Sequence, residues 1–148
     1  MNVNIYVHHT IRGPGKKAGA YTYILETEIN GKVATLTDTG VLEPMSENKA
    51  ELVILLKALK RLRKECDLDI IGVSIPFKTS FEEWLDKWKK ANWKNAKGKD
   101  VANAEYWQQV VEFKDKYNIS ISDQEEHQYK KWMIAETEKK MKGVKDGD

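Results

Sequence analysis

The chain has 148 residues, enough for one domain with a sizeable core and too few for two ordinary ones. Hydrophobic content of 41% beside charged content of 32% is ordinary for a soluble globular protein, and no apolar run approaches the roughly 20 residues that would span a bilayer. The net charge of +2 implies no partner by itself, and a single cysteine, Cys66, rules out an internal disulfide framework. With no secretory pattern at its start, a cytoplasmic location without membrane contact is expected.

Residues 3–8 alternate as a strand that runs into His8, His9 and a Gly-Pro-Gly turn, a kind of strand end where enzymes often hold chemistry. The alternation puts Tyr6 and His8 on one face, Val7 and His9 on the other. Runs at 20–29 and 33–42 flank Asn30-Gly31, whose tolerance of positive φ marks a type I′ hairpin. Pro44 is expected to end the third strand. Ser46 stands at an N-cap position before a helix carrying Val53, Leu56, Leu59 and Leu62. Glu51 shares a helical line with Leu55 and Leu62, so it borders the apolar face rather than open solvent.

The run at 68–75 has the length and character of a central parallel strand. Helices are expected over 78–90 and 102–117, a short strand at 119–121, and a terminal helix over 124–143 closed by Gly143. The pattern is β-β-β-α-β-α-α-β-α, an α/β domain over residues 1–142 with a frayed tail at 143–148.

Between Lys87 and Lys99 the chain holds six lysines (Lys87, Lys89, Lys90, Lys94, Lys97 and Lys99) and no acid, directly after the acidic Glu82, Glu83 and Asp86. Such a stretch can neutralise duplex phosphates. It can also be a solvated helix face, with Trp84 and Trp88, four apart, packing inward.

The element order and three motifs resemble the type 1 ribonuclease H family. "IYVHHTIRGPGKKAGAYTYIL" is similar to its first strand, turn and second strand. "SENKAELVILLKALKRL" looks like the opening of its first long helix. "WLDKWKKANWKNAKGKDVANAEYWQQV" resembles the Trp- and Lys-rich protrusion of bacterial members, with Trp84, Trp88, Trp93, Val101, Asn103 and Trp107 in pattern. The resemblance covers about residues 3–142. It implies a five-stranded mixed sheet, strands 1–3 antiparallel, flanked by helices.

It also implies a reaction. Active members cut the RNA strand of an RNA–DNA hybrid with two Mg²⁺ ions held by four carboxylates. In this chain those positions fall on His8, Glu51, Val73 (Ser74 if the register slips by one) and Trp132, so only Glu51 is a carboxylate. Asp123 and Glu126 stand near the last position, but no register restores three carboxylates. The expectation is a catalytically inactive relative with no cofactor, Mg or Mn being needed only were it active. His8 is then expected to mark a former aspartate and to hydrogen-bond Glu51, with His9 exposed or packed behind the sheet. The alternatives are a transition-metal site of His8, Glu51 and His127, or a His–Glu acid/base pair.

Ser46, Asn48 and Lys49 match positions where the family binds nucleic acid, while Glu47 departs from the usual Asn. The implied partner is RNA–DNA hybrid or another duplex, through these residues and the lysine stretch. A protein-interaction or structural module reusing the fold is the alternative, and an active nuclease with a rebuilt site the third reading.

Overall fold

The computed structural model describes the backbone of residues 1–146 and the side chains of residues 1–143. Its first three strands, β1 (Asn2–His9), β2 (Lys17–Ile29) and β3 (Lys32–Met45), pair antiparallel in succession. β4 (Asp67–Ile71) lies parallel to β1, and β5 (Asn118–Ile121) lies parallel to β4. The result is one five-stranded mixed sheet in the order β3-β2-β1-β4-β5, with strands 1–3 antiparallel as the resemblance implies.

Asn30 and Gly31 take φ of 52° and 78°, the two left-handed residues that a two-residue hairpin loop between right-twisted strands requires. β3 runs past Pro44 to Met45 rather than ending there. It is an edge strand, where a missing N–H need not leave a ladder position unpaired.

The alternation of β1 sorts its side chains between two cores. Val3, Ile5 and Val7 join the larger one, with Leu52, Leu55 and Leu59 of the first helix, α1 (Glu47–Leu59). Tyr6 joins the smaller one on the opposite face, with Ile24, Ile71 and Met133. Ser46 caps α1 as expected, its Oγ accepting the Lys49 N–H at 3.2 Å.

β4 ends at Ile71, four residues earlier than expected. Gly72 turns the chain with φ of 103°, so close to β1 that a Cβ there would lie 2.2 Å from the Val7 carbonyl oxygen. Ser74 then caps α2 (Ile75–Thr79), its Oγ accepting the Phe77 N–H at 3.2 Å. The helix expected from 78 therefore starts at Ile75, and passes through a π-helical turn (Ser80–Trp84) into α3 (Leu85–Lys90). α4 (Ala104–Lys116) packs beside α1.

The terminal helix, α5 (Lys130–Asp146), begins six residues later than expected. Side chains before it bind the sheet instead. Gln128 Nε2 donates to Glu26 at 2.9 Å, the Tyr129 hydroxyl donates to the same carboxylate, and the His127 ring lies 4.6 Å from that of Tyr6. Gly143 does not stop α5, which continues to Asp146. The tail expected to fray at 143–148 falls partly outside the described residues, which omit 147–148 and the side chains from 144 onward. No helix among the described residues is long and apolar enough to cross a membrane.

Candidate functional site

Glu51 projects from α1 into the core and is 1% exposed. Its carboxylate is fully occupied by neighbours. Oε1 accepts the Ser74 hydroxyl at 2.6 Å, the Ser74 N–H lies 3.2 Å from Oε1 and 3.1 Å from Oε2, and His9 Nε2 lies 3.1 Å from Oε2. His9 Nδ1 accepts the Ile11 N–H at 3.2 Å, which leaves Nε2 to carry the ring hydrogen toward the carboxylate, and Arg12 Nη1 lies against the same ring, 2.7 Å from Nε2 and 3.1 Å from Nδ1.

The expected His8–Glu51 hydrogen bond is thus replaced by His9–Glu51. The reason is the pleat: Val7 and His9 share the face that α1 covers, while His8 shares the Tyr6 face. His9, 1% exposed, is the buried partner.

His8 lines a cleft of about 320 Å³ at the ends of β1 and β4. Burial, followed by the cationic Arg12, lowers its pKa to about 4. Val73, Ser74, Asp123, His127 and Met133 also line this cleft. Burial, reinforced by Lys130, lowers the pKa of His127.

Glu51 does not line the cleft: Ser74 stands between, covering the carboxylate on one side and facing the cleft on the other. Trp132 is absent from the lining and is 47% exposed, because its helical neighbour Met133 takes the inward position. Of the four positions that the resemblance singles out, the cleft brings together His8 and the third, Val73 or, with the register slipped by one, Ser74, and not Glu51 or Trp132. The alternative metal set of His8, Glu51 and His127 divides the same way, with two in the cleft and Glu51 behind it. Among the described residues no group of three or more His, Cys, Asp or Glu is placed to hold a metal ion.

Three cations in the lining went unmarked by motif or spacing: Arg12, Lys78 and Lys130. They come from the β1–β2 turn, from α2 and from the start of α5, and only folding assembles them.

At the start of α1, Ser46 is committed to its cap, Asn48 is exposed, and Lys49 Nζ lies 5.4 Å from the Tyr106 ring centre. Glu47 accepts the Gly13 N–H at 3.1 Å and lies 3.9 Å from Arg12 Nη1, so it ties down the Gly-Pro-Gly turn.

The lysine stretch is less free than its sequence implies. Lys89 pairs with Asp115 at 2.7 Å, Lys94 pairs with Asp100, and Lys87 Nζ lies 5.1 Å over the Trp84 ring. Lys90, Lys97 and Lys99 are exposed and form no ion pair among the described residues. Trp88 packs on Trp107 with ring centres 5.8 Å apart, as expected, but Trp84 is 47% exposed. The π-helical turn shifts the register by one residue in that region and separates the two tryptophans.

A family model for RNase H matches residues 2–131. The ribonuclease H of Legionella pneumophila (strain Lens) is 31% identical over 121 residues, covering 81% of this chain and 80% of that protein. That of Pseudomonas fluorescens is 32% identical over 75 residues, and the match spans about half the length of each. Among solved structures, LC9-RNase H1, described as a type 1 RNase H with the type 2 active-site motif, superposes with a TM-score of 0.76 at 14% identity, covering 96% of this chain and 72% of that one. LC11-RNase H1 in complex with RNA/DNA hybrid gives 0.63 at 12% identity, covering 96% and 98%. At such identities these superpositions speak for the fold.

Proposed function

The chain belongs to the RNase H family, and from that premise we propose that it binds RNA–DNA hybrid or a similar duplex without two-metal hydrolysis of the strand. The observation that carries this reading is the state of Glu51. Two Mg²⁺ ions about 4 Å apart need several anionic oxygens within about 2.1 Å to offset their mutual repulsion. The one carboxylate at a family ligand position is buried, with both oxygens taken by Ser74 and His9. Releasing it would strand the half-buried Ser74 N–H and the buried His9 N–H, a cost of about 1–3 kcal/mol for each group left unpaired. His8 offers a neutral nitrogen suited to softer metals, and Val73 offers no ligand. Asp123 and Glu125 also line the cleft, but among the described residues no three such groups converge on one point, so the residues present do not fit a pair of hard dications.

Binding has separate support in Lys90, Lys97 and Lys99, three solvated cations on the protrusion that form no ion pair among the described residues. Each phosphate they neutralise releases counterions, so affinity should fall steeply with salt.

Fluorescence anisotropy with a labelled hybrid, titrated across salt concentrations, tests this. Changing all three lysines to Gln should weaken binding about tenfold and make the log–log salt slope shallower by about 2–3. Wild-type binding that ignores both salt and these substitutions would reject the reading in favour of a protein-interaction role. A parallel incubation with Mg²⁺ or Mn²⁺ should leave the RNA strand intact. Metal-dependent cleavage that Glu51→Gln abolishes would restore an active nuclease.

A further inference from the structure

We infer that the cleft lined by His8 is an anion seat, holding one backbone phosphate of the bound hybrid directly on Arg12, Lys78 and Lys130 with no intervening metal ion. The inference rests on the hybrid-binding reading and adds where, and by what, a phosphate is held.

The first argument is the sign of the charge. Arg12, Lys78 and Lys130 line the cleft together with two acids, Asp123 and Glu125, so its fixed charges favour an anion by one. A cavity built for two dications would need the opposite balance. Both acids are exposed on the loop before α5 and can turn to solvent. The retained carboxylate that would have added a negative charge, Glu51, is sealed behind Ser74.

The second argument is the availability of the cations. Lys78 has no ion pair among the described residues. Arg12 is exposed and leans one guanidinium nitrogen, Nη1, on the His9 ring 2.7 Å from Nε2, while its nearest carboxylate oxygen, on Glu47, is a loose 3.9 Å away. Lys130 pairs at 2.8 Å with Glu126, whose side chain is 85% exposed and competes with water for that contact. Arg12 contributes a planar fork of donors suited to phosphate oxygens, and the two lysines contribute mobile point charges.

The third argument is that the imidazoles sense the field. After burial, the largest cause lowering the pKa of His8 is Arg12, and that of His127 is Lys130. Both rings line the same cleft as Arg12 and Lys130. As neutral rings each retains one N–H that can donate to an anion without adding charge.

A cavity of about 320 Å³ accommodates a phosphodiester group. In a metal-bearing relative, divalent ions would neutralise the phosphate at this place. Here protein cations, always present and not dependent on ion concentration, take that part. Binding should then be insensitive to chelation.

The experiment is anisotropy of a labelled hybrid with the full chain in EDTA, comparing Lys78→Gln, Lys130→Gln and the double variant with the protrusion variant. Each cleft substitution should weaken binding about 3- to 10-fold and make the salt slope shallower by about 1. Lys78→Arg should restore affinity, which separates lost charge from disturbed packing. Mg²⁺ added at constant ionic strength should give no gain, and inorganic phosphate at matched ionic strength should compete with hybrid in the wild type more than in the double variant.

Cleft variants that bind like the wild type, while the protrusion variant loses affinity, would remove the seat and leave the hybrid-binding reading standing. Phosphate competition without any effect of Lys78→Gln on hybrid affinity would assign the cleft to a free anion, and also overturn the inference. Absence of wild-type binding would reject the underlying reading instead.

Discussion

Glu51 carries an acceptor into a region of apolar side chains and is surrounded there by donors: the N–H and hydroxyl of Ser74 and the ring N–H of His9. These fasten α1 to the segment after β4 and to the end of β1, three pieces far apart in sequence. Glu51→Ala would leave the buried His9 donor and the half-buried Ser74 donors unpaired. It should lower unfolding free energy by about 3 kcal/mol, measured by urea denaturation at neutral pH.

His8 makes a second prediction at this scale. Its pKa falls from an unfolded value of 6.5 to about 4 because of burial first and Arg12 next. Below pH 6.5 the unfolded chain takes up a proton that the folded ring refuses, so stability declines as pH drops to about 4 and the loss then levels off. Because the ring is only partly buried, solvent screening reduces the full effect to roughly 2 kcal/mol. Replacing His8 with Gln should remove that part of the slope between pH 6.5 and 4, with little change above pH 7. Denaturation midpoints across that range check it.

Among the elements, the junction after β4 decides the most. Gly72 lets the chain pass the β1 backbone with positive φ, and Ser74 then serves as cap to α2 and cover for Glu51. A methyl group on residue 72 would meet the Val7 carbonyl at 2.2 Å, and backbone cannot move aside as a flexible side chain can. Gly72→Ala should therefore cost about 3 kcal/mol or more through clash and backbone strain, read as a large drop in melting temperature. Sequence pattern carries the strand to 75 because apolar residues continue past Ile71, whereas the turn is dictated by proximity to β1. Late onset of α5 has a similar cause. Residues 124–129 look helical in isolation, but Gln128 and Tyr129 gain acceptors on Glu26 of β2 by staying outside the helix.

For the molecule as a whole, a net charge of +2 conceals an uneven distribution. Cations gather on the protrusion and around the cleft, while Asp115, Asp100 and Glu47 cancel part of that excess locally. If no tight dication site exists, the native state gains nothing by linkage to Mg²⁺. The thermal midpoint should be the same in EDTA as in millimolar Mg²⁺ at equal ionic strength. A rise of several degrees with Mg²⁺ would reveal a site that the folded protein binds preferentially.

The sequence alone determined the order of strands and helices, the Asn30-Gly31 hairpin, the Ser46 cap and the split of β1 into a Tyr6–His8 face and a Val7–His9 face. These follow from local rules, namely turn conformations, capping and the two-residue pleat, which act over a few neighbouring positions. Only the tertiary structure decided that α1 covers the His9 face, that Trp132 points away while Met133 points in, and that Arg12, Lys78 and Lys130 meet in one cleft. A pleat defines two faces without saying what lies over each. Side chains from distant segments acquire a common field only when packing brings them together.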